Sequence, residues 1–328
     1  MCGKYYEMKN IRTISLTGAA ASEKGRIIHT VSDILSDCEQ ELFYSPFSHF
    51  QPCALYLPEL GFLINGECQK IYSHTFFDKT INIGNVLKNQ PKINAAVANY
   101  TLSQGNFYKK RTYYLMWILN LLLNEYIKST SDLLSLEKLK IYAIRKFRSF
   151  FPQKTNCIGK KYIRSISAIT CSGYKIQNLP KDYKIIILMD SFISASAEFV
   201  KIISSSANSM GYDTFISHAI DIESSPMHLI IPEKKLAFLS NSPLLETNCP
   251  FDKKINLNRF YHTNLIAECE HQTEFYADII RKFIGEATLN VKICTDLFTQ
   301  CRRLISPYIS RSSTDNIAAE IVYDIINS

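Results

Sequence analysis

Apolar positions along this chain follow two rhythms. From Ile11 to Thr17 they alternate with polar ones and then run together before Gly18, which predicts a buried strand. From Lys24 to Leu35 they recur at Ile27, Ile28, Val31, Ile34 and Leu35, the spacing of one helix face. Glu41–Ser45 and Leu60–Ile64 read as short strands, Ala54–Leu57 leads into Pro58-Glu59, and Asn65-Gly66 is a turn pair. Helical patterns then occupy Asn85–Leu102, Tyr108–Lys128 and Leu133–Phe151, and Pro152–Lys161 reads as a linker. Strand signals return at Ile163–Thr170, Tyr183–Met189, Asp213–His218, His228–Ile231 and Lys235–Leu239, with a helix at Ala195–Ala207. Helices close the chain at Leu265–Ile284, Asn290–Leu304 and Asp315–Ile326. Strands alternating with helices predict an α/β fold with mostly parallel sheets.

The second series repeats the first. LPELGFLING at Leu57–Gly66 matches IPEKKLAFLSN at Ile231–Asn241, read with one residue inserted in the second copy. FDKTINI at Phe77–Ile83 matches FDKKINL at Phe251–Leu257, and Phe251 follows Phe77 at the same distance as Pro232 follows Pro58. The repeat is too long for a solenoid. It predicts two related modules: residues 1–155, with a helical region over about 85–151, and residues 156–328 with C-terminal helices.

Composition narrows the classes. The 328 residues are 46% hydrophobic and 20% charged, enough for sizeable cores. The ten cysteines form no CxxC pair, and no metal-ligand spacing appears, so reduced thiols and no metal site are expected. MCGKYYEMKN lacks an export core, and Leu115–Leu123 is about half the roughly 20 residues a membrane helix requires, which predicts a cytoplasmic chain. The net charge of +7 is concentrated in Lys109–Arg111 and Lys138–Arg148. Leu136, Leu139, Ala143 and Phe147 share one face of the last segment, so its basic residues are a solvated face or a surface for nucleic acid, lipid or a partner.

The stretch Ile14–Val31, ISLTGAAASEKGRIIHTV, carries the candidate chemistry. A strand, a small-residue turn with a lysine and a helix are the grammar of the phosphate loop GxxxxGK[ST]. Gly18 and Lys24 have the right separation, but Glu23 replaces the second glycine and Gly25 the metal-holding hydroxyl. Phosphate contacts would fall to Gly18, Ala21, Ser22, Lys24, Gly25 and Arg26. A carboxylate about 4 Å from a phosphate costs roughly 4 kcal/mol at an effective dielectric near 20, or about three decades of affinity. Aligning the copies sets Asp190 over Gly18 and Ser196 over Lys24, so Asp190, Ser194, Ser196 and Ala197 form a second turn with neither glycine nor lysine. Glu59 and Glu233 recur as acid/base candidates, and His218 follows a strand, where α/β folds bind ligands.

These features resemble a family of bacterial tandem P-loop proteins described as ATPases or ATP-binding proteins. In that resemblance Leu16–Arg26 and Leu188–Glu198 take the places of the two loops. Leu57–Leu60 and Ile231–Glu233 take the Pro-Glu-Leu strands, and His218-Ala219 a histidine-cysteine pair. It implies two tandem P-loop-NTPase-like, Rossmann-like modules. The family's metal-holding aspartate would fall on Asn65 and Ser240, neither charged, so Mg²⁺ is not expected. The implied function is a non-hydrolytic, degenerate P-loop protein that acts through a protein partner or self-association between modules, with at most weak nucleotide binding at the first loop. The alternatives are an ATPase using Lys24, with ATP as cofactor, and a nucleic-acid-binding protein using the basic helices.

Overall fold

A computed structural model of the chain describes residues 11–18, 21–45, 47, 52–66, 79–83, 92–151, 158–177, 179–219, 225–309 and 311–327. The N-terminal ten residues, Phe77-Asp78, residues 85–91 of the expected first long helix and linker residues 152–157 lie outside them. Two compact units emerge. Among the described residues one comprises 11–111 and 290–327, the other 112–289.

The first unit holds β1 (Arg12–Thr17), α1 (Ala21–Ile34), β2 (Glu41–Tyr44), β3 (Pro52–Leu57), β4 (Phe62–Asn65) and β5 (Lys79–Asn82). Their sheet order is β2-β3-β4-β1-β5. β1 pairs in parallel with β4 and β5, whereas β3 is antiparallel to β2 and β4. The sheet is therefore mixed, not mostly parallel as the alternation predicts. The reason is local: a tight turn at Pro58–Gly61 joins β3 to β4, and so short a connection admits only antiparallel pairing.

The long helices α2 (Lys92–Ser131) and α5 (Thr263–Ile305) are each divided between the units. Four shorter helices are expected where these two run unbroken. Gly105, which looks like a break, lies inside α2 under the ring of Phe298, and an added Cβ would stand 2.6 Å from that ring. Gly285 inside α5 faces open space, and one such glycine costs a helix only about 1 kcal/mol.

The second unit contains α3 (Leu136–Phe150), β6 (Lys161–Ile163), β7 (Ser167–Thr170) and β8 (Gly173–Ile176). It continues through β9 (Lys184–Met189), α4 (Ser194–Ser209), β10 (Thr214–His218), β11 (Pro226–Ile231), β12 (Leu236–Asn241) and β13 (Lys253–Asn256). The sheet order is β13-β9-β12-β11-β10-β6, and β7 and β8 form a separate hairpin. The expected strand Ile163–Thr170 is thus two strands in two sheets. Lys79 and Lys253 of the two FDK matches open the strands β5 and β13, and the Asp252 carboxylate accepts the Ile185 amide at 2.7 Å.

The duplication extends to the pairing register. β13-β9-β12-β11-β10 repeats β5-β1-β4-β3-β2 with the same parallel and antiparallel neighbours. Glu41 pairs with Tyr56 and Phe215 with Ile230; Tyr44 pairs with Pro52 and His218 with Pro226 across the same register shift. Each of these second-unit pairs follows its counterpart by the offset that separates Pro58 from Pro232. Gly61 and Lys235 both close their turns at positive φ, 68° and 47°, so the register is unbroken there and the expected one-residue insertion is absent. Ser240 consequently matches Gly66, not Asn65. From β1 to α1 the offset is two residues shorter, since Arg12 pairs with Phe62 as Lys184 pairs with Leu236.

In each unit the helix that follows the central strand is covered by a helix that does not come from the segment after that sheet in sequence. In the first unit Ile27, Ile28 and Val31 of α1 share a core with Ala318, Ile321 and Ile325 of α6 (Arg311–Ile326). In the second, Leu139, Ala143 and Phe147 of α3 share one with Phe199, Val200 and Ile203 of α4. Each buried large side chain contributes about 1.5–3 kcal/mol. A division near residue 155 follows chain order; the contacts instead group α3 with the second sheet and α6 with the first. On α3 the buried stripe faces α4, and Lys138, Lys140, Arg145 and Arg148 are its exposed side.

Candidate functional site at the two strand–helix turns

The second turn is the more completely determined. β9 ends at Met189, α4 begins at Ser194, and Asp190 is buried between them. Its carboxylate accepts the Phe192 amide (3.0 Å) and the Tyr261 hydroxyl (2.8 Å) on Oδ1, and the Ser196 amide (2.6 Å) on Oδ2. The Tyr261 hydroxyl in turn accepts the Ala195 amide at 2.8 Å and contacts Ser194 Oγ at 2.8 Å. Ser196 Oγ donates to the Ile193 carbonyl and lies 2.7 Å from Ser240 Oγ. The amides of Asp190, Ser191, Ser194 and Ala197 go to Asn241 O, Asn258 Oδ1, Phe192 O and Ile193 O.

An exposed helix N-terminus offers unpaired amides and a positive dipole end to an anion. Here the chain's own carboxylate takes that place. Burial pushes the Asp190 pKa above the ordinary carboxylate range, against the pull of the amides of Ser196 and Phe192 and of the Tyr261 hydroxyl. The same burial, with the Asp190 charge second, raises Tyr126 to about 12. Ile193, fully buried, holds φ at 70°, a β-branched side chain in a region that costs about 1–3 kcal/mol. Tight packing around the closed turn keeps it there.

Behind this cluster the Ser240 amide donates to His228 Nδ1 at 3.1 Å, which leaves Nε2–H facing the Tyr174 hydroxyl at 2.9 Å. His228 is completely buried, and burial lowers its pKa from 6.5 to about 3. It is a neutral structural histidine.

The first turn keeps the frame with other contents. Gly18 ends β1 at φ 75°, a conformation glycine adopts freely. Ala21 and Ser22 open α1, and their side chains lie outside the described residues. Glu23, Lys24 and Gly25 are buried in its first turn. Lys24 packs towards the end of β4: a Cβ added to Gly66 would lie 3.2 Å from Lys24 Cβ and 3.0 Å from Ile28 Cδ1. Arg26 is half-exposed and pairs with Asp315 at 3.1 Å. The matched pair in the second unit is Ser196 with Ser240, so a long side chain over glycine in one copy answers two serines in the other.

The other candidates have structural places. Glu59 is exposed in its turn, and Glu233 Oε1 accepts the Asp213 amide at 3.2 Å. His218 ends β10. Among the described residues no three His, Cys, Asp or Glu side chains converge as metal ligands, and no helix is long and apolar enough to cross a membrane. Sequence reasoning misses Tyr261, far along the chain from Asp190, and His228, because only the fold brings them to the turn. Asp190-Ser191 at a strand end is an available signal for the cap. No family model, curated protein or solved structure matches the chain.

Proposed function

We propose that this chain is a non-hydrolytic binding protein, a divergent relative of tandem P-loop proteins that keeps the strand–turn–helix frame without its phosphate chemistry. The Asp190 carboxylate carries this reading: it sits on the amides of Phe192 and Ser196, where a phosphate would need them. At the first turn Gly25 supplies no hydroxyl for Mg²⁺, and Lys24 is buried against the Gly66 end of β4. Such a protein acts through its partners in the cytoplasm. Exposed Tyr100 and Phe107, on the first-unit part of α2, offer apolar surface for protein contacts.

Calorimetry with Mg·ATP, alongside a phosphate-release assay, tests the reading. The expected outcome is no turnover and no heat that Lys24→Ala removes. Mg²⁺-dependent binding abolished by Lys24→Ala would establish the ATPase-like alternative instead.

A further inference from the structure

On the side of α1 that carries Glu23, Gly25, Arg26 and His29, the helix forms one wall of a pocket of about 430 Å³. Arg26 and His29 of α1, Arg302 and Ser306 at the end of α5, and Arg311 at the start of α6 line it, with Glu23 at its wall. We propose that this pocket binds a phosphate-bearing small molecule.

Three guanidinium groups from three separate segments converge on one cavity. Arg26 has Asp315 as its ion-pair partner, whereas Arg302 and Arg311 are exposed and make no ion pair among the described residues. Arg311 also opens the 16-residue helix α6, whose N-terminal dipole adds to the positive potential. Like charges so placed repel one another unless an anion lies between them, and guanidinium forks match phosphate oxygens in pairs. Glu23 and Asp315 are the acidic groups at this site, and the three arginines outnumber them. The volume suits a molecule of sugar-phosphate or mononucleotide size.

The sister copy shows that the frame does not call for these arginines. Buried Met116, Leu119, Tyr126 and Thr130 of α2 precede Val291, Cys294, Cys301 and Ile305 of α5 at one constant offset, and Leu139, Ala143 and Phe147 precede Thr314, Ala318 and Val322 by the same one. In that register Arg302 matches Ile127, Arg311 matches Leu136 and Ile309 matches Leu134. In the register of the first helices, where Lys24 matches Ser196, Arg26 matches Glu198 and Thr30 matches Ile202. The second unit buries Ile127 and Leu134 and packs Ile202 against its core. The second copy has Ile127 and Leu134 buried at two of these places, exposed Leu136 and acidic Glu198 at the places of Arg311 and Arg26, and no cation at any of them; the first copy lines its pocket with three arginines.

The pocket shares Gly25 and Arg26 with the first turn but not Gly18 or Lys24, so a Lys24 variant distinguishes the two sites. Titration calorimetry of the full chain with inorganic pyrophosphate, without Mg²⁺, tests it. Saturable binding is expected, weakened at least tenfold by Arg302→Gln with Arg311→Gln and weakened further as salt rises. Lys24→Ala should leave it within about twofold. Circular dichroism melts establish that the double variant is folded; should it fail to fold, Arg302→Gln alone is expected to weaken binding several-fold, with Arg302→Lys retaining part. Absence of saturable heat at millimolar pyrophosphate and low salt overturns the proposal, and so does unchanged binding in the folded variants. Lys24-dependent Mg·ATP binding would overturn the reading of the turns and leave the pocket standing.

Discussion

At the end of β9 the Asp190 carboxylate accepts hydrogen bonds from Phe192, Ser196 and Tyr261; at the end of β1 the matched residue is Gly18, with no side chain to do so. The strand pairings around the two turns repeat residue for residue, so the difference belongs to the fillings, not to the frame. The second unit closes its turn by internal satisfaction: a buried acid, a tyrosine, three serines and a neutral histidine in one connected cluster. The first unit packs a lysine over a glycine and opens an arginine-lined pocket alongside. A duplicated frame can thus lock one copy as scaffold while the other keeps a surface for a ligand.

Removing the cap should show the largest contrast. Asp190→Ala strands the amides of Phe192 and Ser196 and the Tyr261 hydroxyl, each worth about 1–3 kcal/mol when buried without a partner. A loss of about 3–5 kcal/mol is expected in urea unfolding followed by Trp117, the single tryptophan, which lies in the second unit. A loss under about 1 kcal/mol would mean that the carboxylate does not hold the turn.

The two units should also differ in their response to acid. His228 has a folded pKa of about 3, below its ordinary 6.5, so the folded state binds fewer protons between those values. Its contribution is complete above about pH 6.5 and is lost as pH falls towards 3, with a limiting slope of about 1.4 kcal/mol per pH unit. Asp190, raised by burial, acts with the opposite sign: its contribution is lost as pH rises from the ordinary carboxylate range. The difference between wild type and His228→Gln isolates the histidine. Ala54 stands at the matched position of the first unit, and hydrogen exchange there should show no such histidine-dependent slope. Identical acid profiles for wild type and His228→Gln would remove this distinction.

Smaller effects probe the side chains behind the turns. Gly66→Ala brings a methyl to 3.0–3.2 Å from Ile28, Cys53 and Lys24, and should cost the first unit about 1–2 kcal/mol. Hydrogen exchange in β4 and α1 would register it; unchanged protection would mean the contact relaxes freely. In the second unit Ser196→Ala and Ser240→Ala should each cost about 1 kcal/mol and couple in a double-mutant cycle, since their hydroxyls are 2.7 Å apart. Additive losses would deny that bond.

Much of this is legible in the chain. Apolar rhythm locates β1, α1, β9 and α4 to within a few residues, because each buries a face whose period the backbone dictates. The duplication is visible in two short matches, since turns and strand starts constrain residue type most tightly. Sheet direction is not legible, because a strand's own pattern is silent about its neighbour's direction; the length of the connection decides it. The long helices escape at Gly105, where a local propensity signals a break and the Phe298 ring makes glycine the residue that fits.

What the sequence determined by itself, then, is the frame: two strand–turn–helix beginnings, their repeat distance, and Glu23 and Gly25 at the two places where a phosphate loop carries a glycine and a hydroxyl. These depend on near neighbours, and near neighbours are written in order. Only the tertiary structure decided what fills each frame. Tyr261 reaches Asp190 from the far end of the second sheet's sequence, and Arg302 and Arg311 join Arg26 from the opposite end of the chain, because α6 packs on α1 rather than beside the sheet it follows. Contacts that distant are set by which apolar faces find each other, and no local pattern records that choice.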